Sequence, residues 1–272
     1  MENLILITIF FYILAGVGYF LFLSSQKNHF YKAGLYCVIT GFLFHTAIMI
    51  LKILASKQMP VHNLFETILT AAWSITAVFI FFDYKFKLKI LGIFAAPMII
   101  FIMSSACIIA DNPVEMKKIL GGFWLNVHII SIFIGEAAFI LACGAGIFYL
   151  IQEHGIKRKK RGYFYTRLPA LSYMDAVCYS CVITGFVMVT TGLASGFVYA
   201  KIAWGHFWTW DPKEIWSILT WLFYAVLLHG KLALGWRGKR FAIMTIIGVI
   251  FILFTFLGVN FLFEGHHKEF TG

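Results

Sequence analysis

Charged residues are scarce in this chain, 12% of its 272 positions, whereas hydrophobic residues fill 61%. A composition of that kind leaves no soluble domain of useful size, and no linker or low-complexity segment divides the sequence. Short segments of alternating polarity are missing, which excludes a membrane β-barrel, and no glycine-rich phosphate loop is present. Cysteine is sparse too. The five cysteines, Cys37, Cys107, Cys143, Cys178 and Cys181, lie within or at the ends of apolar stretches, and an odd count there does not read as a disulfide framework. Cys178-Tyr-Ser-Cys181 has the spacing of a redox pair, but its place in an apolar run favours packing over a thiol relay. Acidic residues number 12 against 22 basic ones, and the resulting net charge of +10 needs no nucleic acid to explain it.

What the chain has instead is a succession of apolar runs of roughly 20 residues, the length that crosses a bilayer as a helix. The fold class that follows is all-α: a polytopic integral membrane protein, one transmembrane domain over 1–272, with about eight transmembrane helices. Spans are expected near 3–24, 33–54, 65–83, 90–110, 124–151, 172–196, 214–230 and 241–262. The run from Leu4 lacks a basic leader and a small-residue cleavage site, so it reads as the first membrane helix rather than a signal peptide. Basic residues give the orientation. Alternate connections, with Lys27 and Lys32, Lys85 to Lys89, Lys157 to Arg167, and Lys231 to Arg240, hold 15 of the 22, which predicts that they face the cytoplasm. Both termini are then expected outside, with an outer loop at 197–216 and an outer C-terminal tail at 263–272.

That loop is the most distinctive stretch of the chain. Trp204-Gly-His-Phe-Trp208-Thr-Trp210-Asp211-Pro-Lys-Glu-Ile-Trp216 is denser in tryptophan than anchoring at a membrane surface requires. Asp211-Pro212-Lys213-Glu214 fits an N-cap, a first-turn proline and a capping-box glutamate, so Asp211 is expected to organise the loop and start span seven. Flat indoles, nearby histidines and a membrane-surface position suit a flat amphiphile containing iron, namely haem. His128, just inside span five, and His267, just past span eight, fall on the loop side and could clamp iron from two faces; either could equally be a solvated surface histidine. His45, near the middle of span two, and His229, toward the other end of span seven, are either ligands of a second, inner haem or interhelical hydrogen-bonding groups. Glu136, two turns beyond His128, would bond a neighbouring helix or tune a haem site. Asp175, near the start of span six, would cap or pair with the preceding basic connection. Lys201, Lys213 and His206 are the nearest outer partners for haem propionates.

Trp204-Gly205, Trp208, Trp210 to Glu214, Trp216, Trp221, Tyr224-Ala225 and His229 resemble the tryptophan-rich WWD signature of haem-handling membrane proteins of cytochrome c maturation. Within that group the chain most resembles the CcsA (ResC) family of system II. The likeness extends to Pro60, Asn63, Leu64, Glu66 and Trp73 before and in span three, to Trp124-Leu125 with His128, and to Gly258-Val259-Asn260 with Gly265 and His267.

The resemblance implies that His128 and His267 are external ligands of haem b (iron protoporphyrin IX), and that Trp204, Trp208, Trp210 and Asp211 belong to the haem-binding loop. His266 stands where the family usually has an apolar residue, so either His266 or His267 could be the ligand. His229 would belong to a transmembrane haem site completed by a CcsB (ResB) partner, and His45 would be a variant inner ligand or structural. The implied activity is that of the haem-binding subunit of a cytochrome c synthase (haem lyase), with apocytochrome c as acceptor. Its implied place is the bacterial plasma membrane, or the thylakoid membrane for a plastid protein. A haem exporter and a non-catalytic regulator of tetrapyrrole metabolism are the alternatives.

Overall fold

The computed structural model describes residues 1–87, 89–109, 122–159, 162 and 165–258. Eight α-helices follow one another: α1 (Glu2–Ser25), α2 (Asn28–Ser56), α3 (Leu64–Phe86), α4 (Leu91–Ala106), α5 (Phe123–Lys157), α6 (Leu171–Trp204), α7 (Pro212–Leu232) and α8 (Lys239–Leu253). A π-helical turn, Phe254–Gly258, continues α8. Among the described residues there is no strand, and seven helices are long and apolar enough to cross a membrane. The protein is an all-helical membrane protein. The fourth expected span is the exception to the length rule: α4 has 16 residues, about 24 Å of rise against a hydrocarbon core of about 30 Å, and carries Pro97 inside it.

Two helices run well past the C-terminal ends of their apolar stretches. The fifth, expected at 124–151, reaches Lys157, and the sixth, expected at 172–196, runs on to Trp204. The loop expected at 197–216 is therefore shorter than its sequence suggested: residues 197–204 finish α6, and α7 starts at Pro212. Hydropathy falls off at the membrane surface, but the residues beyond it still hydrogen-bond as a helix. The expected tail at 263–272 lies outside the described residues.

Consecutive helices run antiparallel, as paired contacts show. Gly18 and Tyr12 of α1 meet Gly34 and Gly41 of α2, and Gly135 and His128 of α5 meet Val189 and Gly196 of α6. On α7 and α8, Tyr224 meets Gly248 and Phe223 stacks on Phe251, while Trp216 packs on Phe254 of the π-helical turn. One end of the bundle thus gathers the end of α2, the starts of α3, α5 and α7, and the ends of α6 and α8. We call it the loop end.

Lipid supplies little hydrophobic drive between helices, so small residues and polar contacts hold the bundle. A Cβ on Gly18 would lie 2.8 Å from the Gly34 Cα, which lets α1 and α2 touch along their backbones. Trp73 Nε1 donates to Thr46 Oγ1 at 2.9 Å, and Trp221 Nε1 to Thr190 Oγ1 at 2.8 Å. Tyr31 Oη donates to Asp83 Oδ2 at 2.6 Å, and the Tyr224 ring stacks on Phe139 with centroids 3.4 Å apart. Phe10, Leu43, Phe101 and Val226 are exposed, as a lipid-facing surface requires.

At the opposite end, Arg167 donates to the Leu23 and Ser24 carbonyls and so caps the last turn of α1. Asp175 pairs there with Lys231 of α7 at 2.6 Å and accepts from the Gly238 amide, its partners among the described residues. Cys178 and Cys181 are buried and unbonded to each other; the Cys178 thiol donates to the Ala142 carbonyl at 3.4 Å.

Candidate functional site

The tryptophan loop is built from its capping box. Asp211 Oδ1 accepts from the Lys213 amide at 2.8 Å, and Pro212 occupies the first turn of α7. Glu214 reaches back, with Oε2 accepting from the Thr209 amide at 2.9 Å and the Asp211 amide at 3.3 Å, and Oε1 accepting from Thr209 Oγ1 at 3.1 Å. The clamp forces Trp210 into a left-handed conformation, φ +60°, a strained backbone for a large side chain. On the other side Gly205, φ +80°, ends α6, as a glycine can do without strain. Asp211 is buried and organises the loop as its sequence context predicts.

Beneath the loop lies a cavity of about 230 Å³. Leu125, Ile129, Ile132 and Phe133 of α5 face Leu193 and Phe197 of α6 across it, and its polar lining includes His128, Glu136, Tyr199, Lys213, Gln58 and His62. The volume falls below the roughly 300–1,000 Å³ usual for ligand pockets, so a macrocycle would be only partly enclosed.

His128 is held with care. Its Nδ1 lies 2.8 Å from the Gly192 carbonyl, which can only accept; Nδ1 therefore carries a proton, and in the neutral ring Nε2 holds the lone pair, the tautomer of a metal-binding imidazole. Gly196 makes the room: a Cβ there would lie 2.6 Å from Nδ1. The residues present thus fit an iron ligand at His128.

The other expected site residues are distributed unevenly. Trp204 lines the same cavity, and Trp208 packs edge-on against Phe197, which also lines it. Trp210 meets Trp208 edge-on and is 75% exposed, facing away. Of the three cationic candidates, Lys213 lines the cavity, whereas Lys201 bonds the Gly205 carbonyl and His206 is exposed. His266 and His267 lie outside the described residues. His45 is fully buried against α1, its Nδ1 3.2 Å from Tyr12 Oη; Leu69 is close by, but Nε2 forms no hydrogen bond. His229 is exposed on α7. Because α2 packs chiefly on α1 and α3, and α7 on α6 and α8, the structure does not bring His45 and His229 together.

Sequence reading passed over His62. Its Nδ1 donates to Glu66 Oε2 at 2.9 Å, its Nε2 lies 2.9 Å from Gln58 Oε1, and Glu66 also holds Lys52 at 3.0 Å. Asn63 caps α3 by accepting from the Glu66 amide, and Thr70 ties the Pro60 carbonyl to α3. The signal available was His62 four residues before Glu66 within a segment already singled out.

Residues 61–267 match the family of cytochrome c assembly proteins. The cytochrome c biogenesis protein CcsA of Prochlorococcus marinus (strain MIT 9312) is 28% identical over 285 residues, covering 96% of this chain and 92% of that protein. The CcsA of Porphyra purpurea is 30% identical over 255 residues, 79% of each. The chain belongs to the CcsA family. Another CcsA relative, from Chlamydomonas reinhardtii, is 33% identical over 225 residues, 78% of this chain and 61% of that protein. Membership gives this membrane protein a role in cytochrome c maturation. The family match includes the His62 and Glu66 segment, the His128 cavity and the tryptophan loop.

Proposed function

We propose that this chain is the haem-binding, haem-presenting subunit of a system II cytochrome c synthase. The observation that carries this reading is His128: an imidazole in the metal-binding tautomer, set in an apolar cavity under the tryptophan loop of a CcsA-family protein. Haem b is the substrate, and its vinyl groups supply the reactive carbons. Each apocytochrome thiol adds across a vinyl group, the sulfur bonding one carbon and the proton ending on the other, with no net oxidation. No nucleophile on this chain is consumed.

What the protein contributes is position. His128 Nε2 would ligate the iron, and His267 or His266 would supply a second imidazole, to be replaced by the acceptor's own histidine. Trp204 and Trp208 would cover the ring, while exposed Trp210 and Phe207 would meet the incoming apocytochrome at the outer face. His229, exposed near the opposite end of α7, suits an inner ligand shared with a CcsB-type membrane partner.

The test is the reduced absorption spectrum of the purified chain, alone and with that partner, for wild type, His128→Ala and His267→Ala. A low-spin spectrum weakened in both variants and restored by imidazole is expected. A wild type without haem, or a spectrum indifferent to both changes, refutes the outer site. Loss of haem binding without loss of thioether formation in the complex would refute the synthase role.

A further inference from the structure

The cavity does not stop at His128. It follows α5 through Ile132 to Glu136, positions i, i+4 and i+8 on one helical face, a descent of about 12 Å. Glu136 makes no hydrogen bond and no ion pair with any described residue. Lys213 enters the same space from the first turn of α7, near enough for the two charges to interact without touching. A carboxyl group without a partner among the described residues, in a cavity lined by Ile132, Phe133 and Leu193, is costly, and its presence points to an occupant that completes its hydrogen bonding.

Resting on the function proposed above, we propose that Glu136 and Lys213 form the subsite for the propionate edge of the haem. Vinyl groups and propionates occupy different edges of the macrocycle. Since apocytochrome thiols must reach the vinyl edge at the loop mouth, the propionate edge points down the cavity. Lys213 pairs with a propionate as a cation, and Glu136, as a carboxylic acid, donates its proton to a second carboxylate oxygen. Two ionised carboxylates at that distance would repel; one shared proton turns repulsion into a bond.

The remaining titratable groups on the cavity are committed differently. His62 is tied to Glu66 and Gln58, Glu214 to the loop amides, and His128 to Gly192; Tyr199 lies toward the mouth, edge-on to Trp204. Of the cavity's lining groups, Glu136 supplies the acid deep in the cavity and Lys213 the cation that carboxylate recognition needs.

The experiment uses the full chain in detergent or nanodiscs, titrated with haem and with haem dimethyl ester, whose propionates are masked. Wild type should bind haem at least tenfold tighter than the ester. Lys213→Met and Glu136→Leu should each remove most of that preference while leaving ester affinity unchanged, which also shows that the variants are folded. Glu136→Gln, whose amide still donates, should keep the preference. Equal weakening toward both ligands, or an unaltered preference in Lys213→Met and Glu136→Leu, overturns the subsite. Haem binding that ignores His128→Ala would instead overturn the function on which the subsite rests.

Discussion

Replacing Gly196 with alanine tests how His128 is held. The added Cβ would lie 2.6 Å from Nδ1 and 2.9 Å from Cε1, where ordinary contact begins at 3.4 Å. The ring must move by roughly 1 Å, carrying the 2.8 Å bond to Gly192 toward the distance of about 3.6 Å at which such contacts cease to be hydrogen bonds. Because the obstacle is a side-chain ring and not backbone, α5 and α6 need not separate. The stability loss should stay near the low end of the roughly 1–3 kcal/mol typical of overpacking.

Binding should suffer far more. Losing the partner that fixes the tautomer and orientation of a ligating histidine costs roughly 10–100-fold in metal affinity. Haem titration followed by absorbance, beside thermal unfolding, measures both quantities. Gly16→Ala is the control, since its Cβ meets only the Ile100 Cδ1 atom at 3.0 Å. Wild-type haem affinity in folded Gly196→Ala, or an equal loss in Gly16→Ala, would refute the reasoning.

Three further outcomes follow from the packing. Glu214→Ala removes the acceptor for the Thr209 and Asp211 amides and should loosen the loop by about 1–2 kcal/mol; unchanged hydrogen exchange at those amides would count against it. Gly18→Ala places a Cβ 2.8 Å from the Gly34 Cα and 2.9 Å from its nitrogen, both backbone, so α1 and α2 must part at a cost of about 1–3 kcal/mol; an unshifted melting curve would contradict it. Tyr31→Phe strips the donor from Asp83, whose Oδ1 is already unpaired, and should cost about 1.5–3 kcal/mol. Adding Asp83→Leu should recover part of that loss, and a double variant weaker than the single would show the account to be wrong.

The helices and the capping box were legible because each depends on neighbouring residues. An apolar run of bilayer length specifies a helix locally, and Asp211, Pro212 and Glu214 act within one turn. The ends of α5 and α6 were not legible from hydropathy, which reports the lipid boundary; Gln152, Glu153 and Lys157 lie past that boundary yet extend the helix. His62 escaped for a different reason. It lines the cavity through the convergence of the α2–α3 connection with α5, a tertiary fact that its spacing from Glu66 does not report. His128 was singled out by its position and by the family resemblance; the Gly192 carbonyl that holds its ring lies 64 residues away.

The lengths of α5 and α6 have a consequence for where a ligand would stand. With 35 and 34 residues, they rise about 52 and 51 Å, some 20 Å more than the hydrocarbon layer is thick. Tilt alone cannot hide the excess, because fitting would need about 55° where helices rarely exceed 40°. The pair stands in the bilayer like a post taller than the water is deep. With the excess shared equally between the two ends, His128, about 8 Å from the first residue of α5, would fall at headgroup level, whereas Glu136, about 20 Å along, would lie below the lipid surface. One molecule held between them would straddle two solvents, its far edge reached through lipid and its near edge through water.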